Sequence, residues 1–377
     1  MNFGGIVVEW YKKNKRDLPW RRSRDPYLVW ISEVILQQTR VKQGLEYYNK
    51  FASTFPDVAS LAAASEEQVL KLWQGLGYYS RARNMHQAAK ELVKNQGGKM
   101  PASYEGLLAM KGVGVYTASA VSSICYGEQK AVVDGNVSRV LARYFGVEEA
   151  VNSTAGKRII DQLSGKVMEE GSENGSVQRS FGSSSGDTWA GTHNQAMMEF
   201  GALQCVPVSP RCGECPLAAS CNARLSDRVE KLPLKIPKRL PLERWMYFYV
   251  IVCDGETILT KRGEQGIWRS LYHFPVLESP EEHSEEEMMG GLFKRLLGKL
   301  TLSAEEALPG GLPVFSDPSG PIRHQLTHLT IHASFVQVKL DALPSPLPGE
   351  YIRIAMSELE QYPVPRLMER YMEVAKF

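Results

Sequence analysis

The stretch Met110-Lys-Gly-Val-Gly-Val-Tyr-Thr-Ala118 decides the fold of the first part of the chain. Helical sequence flanks it on both sides, and Gly112 and Gly114 allow a tight turn with close backbone approach to a ligand. The turn's amides and the start of the next helix then point outward and form a site for an anion such as phosphate. A plain turn between two helices stays an alternative, because a G-x-G pattern alone is a weak signal.

Residues 1 to about 170 around this turn read as a succession of short amphipathic helices. Trp30, Val34 and Ile35 fall near helical spacing, and glycine and proline interrupt the pattern often enough to keep the helices of modest length. Strong strand alternation is absent from this part of the sequence. We therefore expect an all-α domain.

Four of the six cysteines form a cluster with the spacing C-x6-C-x2-C-x5-C. Four thiolates this close together predict one metal centre, and both zinc and an iron–sulfur cluster accept four thiolates. The spacing alone leaves both open. Cys125 and Cys253 lie apart and are expected to be small buried apolar residues. The clustered cysteines are Cys205, Cys212, Cys215 and Cys221.

Two carboxylates stand at positions where an acid needs an explanation. Asp134 lies where an apolar run gives way to a helix, so it is either a simple N-cap or a functional group. Glu33 interrupts an otherwise apolar helical stretch, so it is either near a surface or buried for a purpose. Burial would raise its pKa, as a general acid requires.

Length and charge set broad limits. The 377 residues suggest two domains, and a net charge of +2 neither demands nor excludes a nucleic-acid partner. The basic run from Lys12 to Arg24 is a candidate patch for a nucleic acid or an ordinary solvated face. No segment approaches the ~18 apolar residues of a membrane span, and the start lacks the features of a signal peptide. We expect a compact bacterial, intracellular (cytoplasmic) protein in which disulfides are rare.

The second half changes character after two polar segments. Residues 171–191 are rich in Gly and Ser and predict a flexible surface insertion, and residues 223–242 predict an extended proline-containing linker. After the linker, residues 246–252 and 257–260 flank Asp254-Gly255, which predicts a β-hairpin.

Further elements are expected beyond this hairpin. Residues 329–338 and 351–354 have strand character, and residues 285–300 have helical character. We therefore expect an α+β domain at the C-terminal end.

Taken together, these motifs resemble the helix-hairpin-helix superfamily of DNA glycosylases, and within it the MutY family of adenine DNA glycosylases. The resemblance covers residues 1–222 in the family's order. Its motifs are D-L-P-W-R (17–21), S-E-V-I-L-Q-Q-T-R (32–40), G-L-G-Y-Y-S-R-A-R-N (75–84), K-G-V-G-V-Y-T-A (111–118), V-D-G-N-V (133–137), N-Q-A-M-M-E-F-G-A (194–202) and the cysteine pattern.

The resemblance implies a domain plan and a cofactor. Residues 1–222 would form the catalytic domain, with an iron–sulfur lobe from 1–24 and 131–222 and a six-helix part from about 25–130. After the 223–242 linker, residues 243–377 would form a Nudix-like domain that recognises 8-oxoguanine. The family's cysteine spacing implies a [4Fe–4S] cluster and decides against zinc.

The resemblance also implies a catalytic group. Glu33 would protonate N7 of adenine and Asp134 would stabilise the oxocarbenium ion, with Tyr116 beside both and Asn136 near Asp134. Hydrogen bonds from Tyr116 and Asn136 would keep Asp134 ionised. Tyr116 occupies the position where strand-cleaving relatives carry a nucleophilic lysine, so no lyase activity is expected. A thymine mismatch glycosylase or an endonuclease III-like enzyme stays an alternative.

Binding residues follow from the same resemblance. Gln38 and Tyr78 would act as wedges in the duplex, while Trp20, Arg21 and Gln195 would line the adenine. The remaining DNA-binding residues are those of the hairpin: Lys111, Gly112, Val113 and Gly114.

The C-terminal half resembles a Nudix-like domain at residues 266–275 and 323–329. Thr327 and His328 would bind the lesion, although Leu326 replaces the family's aromatic residue. Residues 281–300 lack the glutamate order that a Nudix hydrolase needs for its metal, so pyrophosphate hydrolysis is not expected. A second departure is Ser138, where some relatives carry a lysine that traps the sugar.

The overall expectation is a monomeric base-excision repair enzyme. Its partner would be double-stranded DNA containing A:8-oxoguanine or A:G mispairs, with no membrane partner. The non-enzymatic alternative is a cluster-bearing DNA-binding protein.

Overall fold

The computed structural model describes residues 2–173, 188–237, 240–300 and 312–375. Most of the predicted 171–191 insertion, from 174 to 187, lies outside the described residues. The chain forms two compact units, one from residues 1–63 and 84–237 and the other from residues 64–83 and 238–377. Within the described residues, no helix has both the length and the apolar character to cross a bilayer.

The first unit is helical, as predicted. Of the helices given below, α5 and the first turn of α6 belong to the second unit. Short 3-10 turns lie at Pro19–Arg21 and Cys212–Glu214. The helices in chain order are α1 (Phe3–Asn14), α2 (Pro26–Leu36), α3 (Val41–Thr54), α4 (Val58–Ala63), α5 (Glu66–Trp73), α6 (Ser80–Gln96), α7 (Tyr104–Leu108), α8 (Val115–Tyr126), α9 (Gly135–Phe145), α10 (Thr154–Glu173), α11 (Trp189–Leu203) and α12 (Asn222–Leu225).

Helix α9 shows how the sequence sets an element's ends. Asp134 is its N-cap and accepts a hydrogen bond from the backbone N–H of Val137 at 2.7 Å. Gly146 ends it in the left-handed conformation with φ 68°, where a side chain would be strained and would also meet Asn222. The N-cap interpretation of Asp134 is therefore confirmed, and it places this carboxylate at a fixed point.

One core of the first unit lies where α1, α9, α10 and α11 meet. Val7, Leu141 and Phe200 are at most 1 % exposed in this cluster, and Cys205 and Cys215 pack against its edge. Truncating such a side chain to alanine costs about 2–5 kcal/mol. The same packing fixes Asp134, because that residue begins α9.

The second unit is built on one mixed sheet. Strand β1 pairs in parallel with β7 and antiparallel with β2 and β4; β2 also pairs with β3 and β8, and β7 with β5 and β6. The strands are β1 (Leu242–Cys253), β2 (Glu256–Lys261), β3 (Tyr272–His273), β4 (Val276–Ser279), β5 (Val314–Phe315), β6 (Ser319–Gln325), β7 (Leu329–Lys339) and β8 (Tyr351–Ala355).

Helices cover both faces of this sheet. Alternate residues of β1 enter two cores: Phe248 packs with Leu367 of one helix, and Tyr249 packs with Leu296 of another. Burial on both faces explains why residues 246–252 read as a continuous apolar run. The helices are α13 (Glu285–Glu287), α14 (Phe293–Leu300) and α15 (Arg366–Ala375); a π-turn (Met288–Leu292) follows α13, and a 3-10 turn (Met356–Gln361) precedes α15.

The predicted elements of this half are confirmed. Asp254 (φ 47°) and Gly255 (φ 78°) form the hairpin turn between β1 and β2, both in the left-handed region that such turns require. Strands β7 and β8 and the helical stretch from 285 to 300 lie where they were predicted.

Residues 223–237, predicted as extended linker, begin in α12 and include Leu232, which is 3 % exposed. Arg143 donates to the carbonyl of Leu232 at 2.9 Å, so this segment is held against the first unit. Residues 238–239 lie outside the described part of the chain.

Candidate active site

A cavity of about 180 Å³ opens between α2, α8, α9 and α11 in the first unit. It is smaller than the ~300–1,000 Å³ of sites for drug-sized ligands. Seven residues predicted from the sequence line it together: Trp20, Arg21, Glu33, Tyr116, Asp134, Asn136 and Gln195.

Glu33 lies on α2 and is 7 % exposed, so of the two predicted alternatives, near a surface or buried, it is buried. The hydroxyl of Tyr116 donates to Glu33 Oε2 at 2.7 Å. Burial raises the Glu33 pKa from 4.5 to about 7; the Tyr116 hydrogen bond opposes the rise, the nearby charge of Asp134 adds to it, and Arg21 opposes it. Glu33 can therefore hold a proton near neutral pH and release it.

Asp134 is hydrogen-bonded through both oxygens. Oδ1 accepts from the N–H of Val137, and Oδ2 accepts from Asn136 Nδ2 at 2.9 Å. Burial raises its pKa, while these hydrogen bonds and the charge of Arg139 lower it. Arg139 also donates to Asn136 Oδ1 at 2.9 Å, which fixes the amide with its NH2 toward Asp134.

The prediction that both Tyr116 and Asn136 bond to Asp134 is therefore half wrong. Asn136 does so, but the Tyr116 hydroxyl donates to Glu33 and also contacts Met198 Sδ at 3.2 Å. The reason is geometric, since α8 places the phenol against α2. The net effect on Asp134 is a raised pKa, because burial outweighs its donors.

The basic run from Lys12 to Arg24 is not a uniform surface patch. Arg16 and Arg21 turn inward and both bind Glu199, which is 1 % exposed, at 2.6 and 2.8 Å. Burial opposes ionisation of Glu199, but the two guanidinium groups lower its pKa to about 2. Sequence reasoning missed Glu199, although it lies in the N-Q-A-M-M-E motif.

Two tyrosines, Tyr11 and Tyr48, contact residues that line the cavity. Tyr11 donates to Gln195 Oε1 at 2.7 Å, and the Arg21 guanidinium lies 5.5 Å from the centre of the Tyr11 ring. Trp20 is 7 % exposed and meets the Tyr48 ring edge-on at 5.3 Å. Tyr11 does not line the cavity, but it supports two residues that do, and the sequence did not indicate it.

The glycine hairpin joins α7 to α8. Gly112 has φ 77°, and a Cβ there would collide with Asn84, so the turn requires glycine. Lys111 and Gly114 are exposed, and Gly114 is the N-cap of α8. Val113 is only 7 % exposed, so its side chain is not available to a ligand.

The two predicted wedge residues share an unusual backbone. Gln38 (φ 57°) and Tyr78 (φ 48°) are both in the left-handed region, and both side chains are exposed. Bulky residues seldom adopt this conformation, and such strain tends to mark functional positions. In the second unit, Thr327 and His328 are exposed, and Thr327 Oγ1 lies 2.9 Å from the Tyr78 hydroxyl.

The four clustered cysteines surround one region beside α9. Arg143 lies 3.5 Å from Cys205 Sγ, and Cys221 Sγ lies 3.6 Å from the Arg143 carbonyl. Burial and the neighbouring thiols raise the pKa of Cys215 to about 11, so an uncompensated thiolate cluster is unfavourable here and a cationic centre fits. In the described residues, no three ligating side chains converge on a single ion. Cys253 is buried, as predicted, whereas Cys125 is partly exposed.

Family models match three parts of the chain. The model of the HhH-GPD superfamily of base excision DNA repair proteins matches residues 31–164, the iron–sulfur binding domain of endonuclease III matches residues 205–221, and the NUDIX domain matches residues 246–374. The fold and the site thus define a DNA glycosylase of the helix-hairpin-helix class. The iron–sulfur match decides for a [4Fe–4S] cluster over zinc.

Curated relatives identify the family. The chain is 36 % identical over 282 residues to the adenine DNA glycosylase of Buchnera aphidicola (Acyrthosiphon pisum), covering 74 % of this chain and 75 % of the relative. It is 40 % identical over 238 residues to the human adenine DNA glycosylase, covering 61 % and 40 %. A thermostable thymine-DNA glycosylase structure matches with a TM-score of 0.50 and 25 % identity, over 59 % of this chain and 95 % of that one. The chain belongs to the adenine DNA glycosylase (MutY) family.

Proposed function

We propose that this protein excises adenine paired with 8-oxoguanine or guanine in double-stranded DNA, as the first step of base excision repair. The observation that carries the proposal is Glu33, a buried acid with a pKa of about 7, in one small cavity with Asp134. This is the two-carboxylate logic of sugar hydrolysis, with nitrogen as the leaving atom.

The target adenine first leaves the stack, at a cost of a few kcal/mol. Gln38 and Tyr78 enter the duplex as wedges, and Trp20, Arg21 and Gln195 enclose the flipped base. Glu199 supports this arrangement because its two oxygens hold Arg21 in place.

Glu33 then donates its proton to N7 of adenine. The C1′–N9 bond breaks with its electron pair passing to the purine, which leaves as neutral adenine. The sugar becomes an oxocarbenium ion, and the ionised Asp134 stabilises it electrostatically or as a transient ester. Water adds at C1′, and its proton passes to the Glu33 carboxylate.

We propose that the reaction stops at the abasic site. Tyr116 lines the cavity with both carboxylates, at the position where strand-cleaving relatives carry a lysine. A phenol cannot form a Schiff base with the sugar. The DNA backbone should therefore stay intact until alkali is added.

The other assignments concern binding. Cys205, Cys212, Cys215 and Cys221 would hold the cluster, and the hairpin of Lys111, Gly112, Val113 and Gly114 would bind DNA phosphate through backbone amides. When bound, the cluster supplies a cationic structural centre next to α9. Thr327 and His328 would contact the oxidised base, without the aromatic contact that Leu326 replaces.

We further propose the domain plan stated from the sequence, with a catalytic domain at 1–222 and a lesion-recognition domain at 243–377. The Nudix-like part would read the lesion and not hydrolyse pyrophosphate. The enzyme would act on DNA as a monomer inside the cell, with no membrane partner.

The test is a panel of duplexes that place A, T or G opposite guanine or 8-oxoguanine. Excision of adenine alone, with cleavage only after alkali, supports the proposal. Excision of thymine would support the thymine glycosylase alternative, to which the solved thymine-DNA glycosylase points. Binding without excision would support the non-enzymatic alternative. The variant Glu33→Gln should lose excision of adenine, and Glu149→Gln, at an exposed glutamate, is its matched control.

A further inference from the structure

Tyr78 is an exposed aromatic residue in a backbone conformation that is intrinsically unfavourable for it. It is 49 % exposed and has φ 48°, and the glycines at 75 and 77 have φ 92° and 74°. Glycine adopts such angles without strain, but tyrosine does not. Surrounding contacts must therefore hold it there.

Two side chains hold the peptide that sets this angle. The carbonyl of Gly77 accepts a hydrogen bond from Trp73 Nε1 at 3.1 Å and from Arg81 Nη2 at 3.3 Å. Because the Gly77–Tyr78 peptide plane is one of the two planes that define the Tyr78 φ, holding its carbonyl fixes one side of that rotation, and contacts to the ring must restrain the other. Trp73 is fully buried, so the anchor itself is rigid.

The same arginine also contacts the ring. The Arg81 guanidinium lies 5.1 Å from the Trp73 ring centre and 5.7 Å from the Tyr78 ring centre, within range of cation–π attraction to both. The Tyr78 hydroxyl meets Thr327 Oγ1 at its far end. Tyr78 is thus restrained at its backbone, along its ring and at its tip.

We infer that Arg81 and Trp73 are positioning residues that preset Tyr78 for insertion into the duplex. The inference rests on the proposed function, in which Tyr78 is a wedge. If folding already places the Tyr78 side chain for insertion, DNA binding need not restrict that side chain further. The entropic cost of ordering it is then not part of the binding step, and the flipped base is captured faster. The role belongs to the guanidinium fork and the indole N–H, and not to charge alone.

The experiment compares Arg81→Lys, which keeps the charge but loses the fork, with Trp73→Phe, which keeps an aromatic ring but loses the N–H. Lys90→Gln removes an exposed charge from the same helix and is the control. The readouts are single-turnover excision of adenine opposite 8-oxoguanine and the fluorescence of 2-aminopurine beside the mispair, which reports unstacking. We expect the rate of excision at subsaturating DNA to fall roughly tenfold in both variants. That fall corresponds to about 1.4 kcal/mol for placing the Tyr78 side chain.

Two further measurements separate this role from a loss of folding. The loss should shrink to about twofold or less on a duplex whose base pairs flanking the adenine are already mismatched, because unstacking is then cheap. In a Tyr78→Ala background, Arg81→Lys should have no further effect.

Unchanged excision by both variants, or an Arg81→Lys loss that adds fully to that of Tyr78→Ala, overturns the inference. An equal loss on both duplexes also overturns it, since it would indicate general misfolding. If the wild-type enzyme excises no adenine, the proposed function fails instead, and the two failures are thereby distinguished.

Discussion

The Tyr116 hydroxyl donates a hydrogen bond of 2.7 Å to Glu33 Oε2. This contact links Tyr116, which we propose prevents lyase chemistry, to the proposed acid, and it lowers the Glu33 pKa against the larger rise from burial. The phenol itself has a pKa raised well above 10, first by burial and then by the charge of Glu33, so it stays a donor through the working pH range. The pH dependence of excision should therefore report this pair.

Excision by the wild-type enzyme should fall as pH rises through about 7, because Glu33 loses the proton that it must donate. Tyr116→Phe removes the donor that lowers this pKa, so the alkaline limb should move to higher pH. The measurement is kcat/KM against pH for both proteins. A limb that stays in place or moves to lower pH would contradict the assignment.

Glu33→Gln should reduce excision by at least about 10²-fold, the usual contribution of a general acid. It should also stabilise the fold at neutral pH. Since the folded pKa is raised from 4.5 to about 7, the carboxyl destabilises the native state increasingly as pH rises from 4.5 to 7. The full difference corresponds to about 3 kcal/mol.

Denaturant unfolding at several pH values checks this second effect. We expect the stability gap between Glu33→Gln and wild type to be absent at pH 4 and to level off above pH 7. A gap that does not depend on pH would refute the raised pKa.

Glu199→Gln should destabilise the first unit, because it leaves Arg16 and Arg21 without their shared carboxylate. Losing one partner of a buried ion pair costs about 3–5 kcal/mol, and we expect the low end because Arg16 is one-third exposed. The folded pKa of about 2 gives stability that is present above 4.5 and lost as pH falls through 2.

The cost of Glu199→Gln at pH 7 should therefore shrink in acid, and urea titrations at pH 7 and pH 3 measure it. Glu214→Gln, at an exposed glutamate, is the control. An equal cost at both pH values would show that the charge of Glu199 is not what matters.

His193→Phe should stabilise the protein in mild acid. His193 is 1 % exposed, neither ring nitrogen has a hydrogen-bond partner among the residues that the structure describes, and burial lowers its pKa from 6.5 to about 4. Stability is therefore lost as pH falls from 6.5 towards 4, by up to about 3 kcal/mol. Thermal unfolding of the variant and wild type should show a larger gain for the variant at pH 5 than at pH 8; an equal or larger gain at pH 8 would contradict this account.

Much of the candidate site could be predicted from local sequence motifs. Glu33, Asp134 and Tyr116 lie in short motifs whose helices can be read from apolar spacing, and the structure brings all three to one cavity. The hairpin at Asp254-Gly255 was equally readable, because its two residues have a strong intrinsic preference for the left-handed region.

Long-range relationships were not readable. Glu199 binds two arginines that lie 178 and 183 residues earlier in the chain, so no local pattern indicates their pairing. The direction of the Tyr116 hydrogen bond depends on how α8 packs against α2, and residues 64–83 join the second unit through contacts such as Glu67 with Lys261. Tertiary packing decides all three, and periodicity carries no information about it.

The central claim is that Glu33 protonates N7 of a flipped adenine while Asp134 offsets the charge on the sugar. The most direct test is single-turnover excision from a duplex in which 7-deazaadenine, with carbon in place of N7, stands opposite 8-oxoguanine. We expect the enzyme to bind this duplex about as well as the adenine duplex and to leave the glycosidic bond intact. Release of 7-deazaadenine at a rate near that of adenine would contradict the claim.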